Sequence, residues 1–148
     1  MTVPNAHFET ADSWDAASER LSFRPRIPSR TLRLEALRIF VRDHKLRELP
    51  VTERTLEAHY PSFVFTQSQP GAREARRQTV DVSYGREARE ASVRGCEARI
   101  YAPGPEPAPG DIDPRSPAVV VWHDDGTIFL LASDTLDSDV LVEIAMGI

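Results

Sequence analysis

Three metal-capable side chains, His123, Asp124 and Asp125, stand in a row in this sequence. Consecutive residues of a strand point to opposite faces, so the trio is poorly disposed to converge on one ion, and Asp125–Gly126 is better explained as a tight turn. His7, His44 and His59 show none of the His-x-x-x-His or His-Glu-x-x-His spacings that place two imidazoles on one helix face. Cys96 is the only cysteine, with Arg94 and Arg99 close in sequence. Strand alternation sets Arg94 on its face and Arg99 on the other, and no neighbouring histidine supplies a base, so the thiol reads as buried and inert. Ser133–Asp134 and Ser138–Asp139 lie outside any Gly-x-Ser-x-Gly elbow and look like capping chemistry. No catalytic, cofactor-binding or metal residue is assigned, and no cofactor is expected. Trp14, Phe63, Phe65, Trp122 and Phe129 remain as residues that can line a hydrophobic ligand cavity or, more simply, fill an ordinary core.

The elements that would position these side chains follow from pattern. Residues 1–12 have no period and read as a flexible N-terminal tail. Residues 13–148 read as a single α+β domain. Asp12 or Ser13 can cap a short helix over 13–21, where Trp14, Ala17 and Leu21 fall at helical spacing. From Thr31 to Arg42 apolar and charged residues alternate, with a slip of one position at Ala36–Leu37, which predicts a bulged strand in preference to a helix. Thr55–Ser68 is rich in β-formers around Pro61, Ala72–Arg77 is a charged connector, and Gln78–Tyr84 and Arg89–Ala102 predict further strands. Residues 103–117 hold six of the 12 prolines and read as a long hairpin loop. Val119–Trp122 and Ile128–Leu131 are apolar on both faces and flank Asp125–Gly126, the clearest hairpin in the chain. After Asp137, the residues Val140, Leu141, Ile144, Ala145 and Ile148 make one helical stripe.

Composition bounds the function classes. At 148 residues, with 41% hydrophobic and 28% charged residues, the chain can bury a core without staples. Formal charge is −5, but residues 1–99 carry 17 basic against 14 acidic side chains and the remainder one against nine. That acidic final third would repel phosphates, which argues against a nucleic-acid partner. One cysteine allows no internal disulfide, and no apolar run reaches the roughly 18 residues that cross a bilayer, so the expected setting is cytoplasmic without membrane insertion.

Several short motifs carry a resemblance. Trp14–Ala17 leading to Phe23–Arg24–Pro25–Arg26–Ile27–Pro28, then Val93–Ala98, Val121–Gly126, and Leu130–Ser133 followed by Leu136–Ala145 are similar to motifs of a bacterial domain family of unknown function. Its members often form the C-terminal extracytoplasmic part of anti-sigma-factor-like and sporulation-associated membrane proteins. The resemblance implies a curved antiparallel sheet akin to the periplasmic lipoprotein-sorting carriers, and no catalytic residues. This chain departs from that pattern in having no recognisable anchor or signal.

The expected architecture is therefore a curved antiparallel sheet of about six strands, with a short N-terminal helix and a C-terminal amphipathic helix on one face. The expected function is a non-catalytic interaction or regulatory domain acting on a protein partner. The alternative is a small carrier of a lipid or other hydrophobic molecule held between sheet and helices.

Overall fold

The computed structural model describes residues 6–11, 13–19, 21, 23–27, 38–45, 52–81, 86–104, 109–110 and 116–148. In chain order they form β1 (Ala6–Ala11), α1 (Trp14–Ser18), β2 (Arg38–Lys45), β3 (Thr52–His59), β4 (Val64–Ser68), α2 (Ala72–Val80), β5 (Arg89–Val93), β6 (Cys96–Tyr101), β7 (Ala118–Asp124), β8 (Thr127–Ser133) and α3 (Ser138–Met146). The strands make one open, antiparallel sheet in the order β1-β2-β3-β4-β8-β7-β6-β5. The α+β class and the antiparallel sheet are as the sequence predicts.

Eight strands replace the expected six for identifiable reasons. Ala6–Ala11, read as part of a tail, pairs along its whole length with β2, from Ala6 opposite His44 to Ala11 opposite Ile39. Backbone groups make that ladder, and no side-chain period has to announce it. The β-rich stretch 55–68 folds back on itself: the Tyr60 N–H donates to the Phe63 carbonyl over 2.9 Å, and Pro61 sits in the turn between β3 and β4. Residues 89–102 are likewise a hairpin, turning at Arg94–Gly95, where both residues have positive φ (51° and 83°). Residues 78–80, expected to begin a strand, close helix α2, while 82–85 and the predicted bulge at 36–37 lie outside the described residues. At the loop of 103–117 the Gly104 N–H donates to the Ser116 carbonyl, so its two ends extend the β6–β7 pairing.

Two layers of side chains close the sheet. On one face Phe65, Val120, Trp122, Phe129 and Leu131 pack with Ala17 of α1 and with Leu141, Ile144, Ala145 and Ile148, the predicted C-terminal stripe. Ser13 caps α1 by accepting the Ala16 N–H at 3.0 Å. Asp137 occupies the cap position of α3, but its side chain makes no capping hydrogen bond. On the opposite face Tyr101, Val119, Val121 and Ile128 pack with Ala75 of α2. The charged connector predicted at Ala72–Arg77 is thus a helix, and it supplies the second cover that the doubly apolar β7 demands.

Candidate functional site

Strand polarity brings the Arg94–Gly95 and Asp125–Gly126 turns to the same end of the sheet, beside the start of α2, where the Gly71 N–H donates to the Gly126 carbonyl over 3.1 Å. On the α3 side of that end lies a cavity of about 340 Å³, lined by Arg26, Val93, Arg94, Cys96, Trp122, Asp124 and Ile148.

Arg26 is held there by three residues, Gln67, Phe129 and Asp124. Gln67 sits on β4 at the same face as Phe63 and Phe65, and it is buried, 1% exposed. Its Oε1 accepts the Arg26 N–H at 2.8 Å, and its Nε2 donates to the Arg26 carbonyl at 2.9 Å. The buried amide therefore does for residue 26 what a neighbouring strand would do, and both its polar atoms are satisfied. The Arg26 guanidinium lies 4.7 Å from the centre of the Phe129 ring and forms an ion pair with Asp124. That hydrogen bond, joined by the charge of Arg26, holds the Asp124 carboxyl below its usual range.

Arg94 faces the same cavity from the β5–β6 turn, and its Nη1 donates to the Ile148 carbonyl at 2.7 Å. Cys96, expected to be buried, is half-exposed on the cavity wall. Desolvation by its surroundings raises the thiol pKa, and the neighbouring Asp124 carboxylate raises it further. A thiol so placed stays protonated at neutral pH, the opposite of what a nucleophile needs.

His123 and Asp124 part company, as alternation requires. Asp124 points to the cavity, whereas His123 Nε2 lies 3.1 Å from Glu97 Oε1 on the α2 side. Glu97 also pairs with Arg76 of α2 at 3.2 Å. The hydrogen bond with His123, then the charges of Arg76 and Arg99, hold the Glu97 carboxyl below its usual range.

The five aromatic candidates do not share one fate. Phe65, Trp122 and Phe129 are at most 1% exposed and stack on one another, with centroids 5.2 Å apart for Trp122 and Phe129 and 6.2 Å for Phe65 and Phe129. Phe63 is buried in the same core and stacks on Tyr60 at 4.5 Å, while Trp14 packs against that core from α1, partly buried. Only Trp122 reaches the cavity, as its floor. Sequence reasoning did not connect Arg26, Gln67, Arg94 and Asp124. The available signal was Gln67 itself, a polar residue in register with Phe63 and Phe65 that had to find a partner.

A second cavity of about 610 Å³ opens near the start of α3, lined by Glu87, Ala88, Arg89, Ile100, Ala102 and Ser138. Its ionic groups are mobile-length side chains at the surface, with Arg89 reaching Asp139 only at 3.7 Å between exposed partners. The Arg26–Arg94 cavity has the better-fixed chemistry and is the candidate site. Compared with known proteins, the chain matches no family model, no curated protein and no solved structure. Among the described residues no helix is long and apolar enough to cross a membrane.

Proposed function

We propose that this chain is a non-catalytic interaction domain that engages a protein partner through the turn end of its sheet, at the cavity between Arg26 and Arg94. The observation that carries this reading is the contrast between a filled core and a fixed, charged cavity. The stacked rings of Phe65, Trp122 and Phe129 occupy the space that a carrier would have to leave open for a hydrophobic guest. Among the described residues the cavity offers two guanidinium groups, one carboxylate and a protonated thiol. Such a set suits recognition: its carboxylate is engaged by Arg26, and its thiol is not activated as a nucleophile. The unpaired Cys96 thiol suits a reducing, cytoplasmic setting.

Native mass spectrometry of the protein purified from its own host tests this reading. The expected result is a co-purifying polypeptide that is lost from the Arg94→Gln variant. A bound small hydrophobic molecule in its place would overturn the reading in favour of a carrier.

A further inference from the structure

One residue of the candidate cavity is carried by neither the sheet nor α3. Val93, Cys96, Trp122 and Asp124 stand on strands, Arg94 in a turn between two of them and Ile148 just past α3, whereas Arg26 belongs to the extended segment 23–27. Its contacts run from Gln67 on β4 through Phe129 on β8 to Asp124 on β7, three neighbouring strands, so Arg26 reaches across the sheet instead of joining it. Among the described residues no backbone-to-backbone hydrogen bond ties this segment to a strand. Phe23 and Pro25 are buried, and Arg24 and Ile27 are exposed.

Gln67 is the fastening. It stands in the cross-strand row Leu56–Gln67–Phe129–Trp122, where it is the polar member and its three neighbours are at most 1% exposed. An aliphatic side chain at that position would hold the segment by area alone and would be left as bare hydrocarbon when the segment departed. The amide serves both states. With the segment in place, its two polar atoms satisfy the N–H and carbonyl of Arg26 and fix the position of that residue. With the segment away, water takes over both bonds, and the net difference between protein and water partners is small. The Arg26–Asp124 pair is of the same kind, since each partner is more than a third exposed. Fastenings of this sort specify one position and release it at low cost. Phe23, 9% exposed, is the apolar anchor that keeps the closed form dominant.

We propose that residues 23–27 form a releasable strap, latched by Gln67, that lifts as a unit while the sheet stays folded and so carries Arg26 out of the cavity. Lifting removes one of the two guanidinium groups, uncovers the Phe129 ring and frees the Asp124 carboxylate. Any ligand that needs Arg26 therefore binds the closed form alone, and its apparent affinity is scaled by the closed fraction. The strap belongs to the free chain and its test needs no partner, so it stands or falls separately from the interaction reading.

Native-state hydrogen exchange of the full chain, followed by NMR at low urea concentrations, provides that test. The Arg26 N–H, which donates to Gln67, is expected to exchange through an opening almost independent of urea, as a small local opening is, and to be at least about tenfold less protected than the amides in the middle of β7 and β8, whose exchange follows the steep urea dependence of global unfolding. Gln67→Met keeps the length of the side chain and removes both hydrogen bonds. It is expected to lower the protection of the Arg26 amide about tenfold or more relative to the β7 and β8 amides. Phe23→Ala removes neither bond, yet it is expected to lower Arg26 protection as well, because the strap lifts as a unit. An Arg26 amide in the parent chain that shares the protection and urea dependence of β7 and β8 would overturn the proposal without recourse to any variant, since the segment would then leave only when the sheet unfolds. So would Gln67→Met that leaves Arg26 protection unchanged or lowers that of all three regions by one factor, and so would Phe23→Ala that leaves Arg26 as protected as in the parent.

Discussion

The two faces of this sheet share one backbone ladder and are closed by different means. The α3 face holds the large rings, Phe65, Trp122 and Phe129, under two helices, and its packing is apolar almost to the turn end, where the Arg26–Arg94 cavity opens. The α2 face holds one ring, Tyr101, with the smaller Val119, Val121 and Ile128, under one nine-residue helix whose buried residues are only Ala75 and Thr79. Short side chains let the helix axis approach the strands, and the Thr79 hydroxyl donates to the Ala75 carbonyl over 2.8 Å, so it is buried without being left unpaired. What the contrast teaches is that stability should concentrate on the α3 face, while the α2 face acts as a thin, closely fitted lid.

The largest expected effect follows directly. Trp122→Ala removes the ring that stacks on both Phe65 and Phe129 and forms the cavity floor. It should cost about 3–5 kcal/mol in denaturant unfolding, with the cavity site lost as well. Val121→Ala, one residue along the same strand on the α2 side, should cost about 2 kcal/mol, the value of two methylenes with a small void. A larger loss from Val121→Ala than from Trp122→Ala would invert the comparison. Ala75→Leu sharpens it from the other direction: with Ala75 fully buried against the strands, the added bulk should push α2 away and cost about 1–3 kcal/mol.

Asp124→Asn probes the ion pair on the α3 face. The ion pair with Arg26 is more than a third exposed on each side, so screening limits its loss at neutral pH to about 1 kcal/mol or less. The sign of its pH dependence is fixed by the lowered carboxyl pKa. The stabilisation is fully present above the unfolded aspartate value, near pH 4, and disappears as pH falls through the lower folded value. Parent and variant should therefore converge in stability only below about pH 4. Because the Asp124 carboxylate also helps to raise the Cys96 pKa, the variant should alkylate faster near neutral pH. Unchanged alkylation would mean that burial alone sets the thiol.

These differences also explain what the sequence disclosed. Val119–Trp122 is apolar at every position, which already required covers on both faces, and the Val140–Ile148 stripe identified one of them. The other was hidden because α2 touches the sheet through Ala75 and Thr79, leaving Arg73, Glu74, Arg76 and Arg77 to dominate its pattern. Asp125–Gly126 announced its turn; Arg94–Gly95 adopts the same backbone signs with a residue that does not advertise them. The candidate site was less legible still. Arg26 meets Gln67 across 41 positions and Asp124 across 98, and contacts so distant leave no local period to read.

The smallest effect is expected at Glu97, and it decides how the α2 face is closed. Arg76, Glu97 and His123 join α2 to β6 and β7, and they give this face the look of one held by ions. The Arg76 and Glu97 side chains are 59% and 38% exposed, however, and exposed pairs lose to side-chain entropy and solvent most of what they gain from attraction. The lowered pKa of Glu97 records its good company in the folded state without making that company a source of stability. Glu97→Gln keeps the shape and a hydrogen-bonding oxygen while removing the charge, so the unfolding midpoint should not move measurably at neutral pH. A loss comparable to that of Val121→Ala would show that charge, and not the fit of Ala75 against the strands, keeps α2 in place, and the thin-lid account of this face would have to be abandoned.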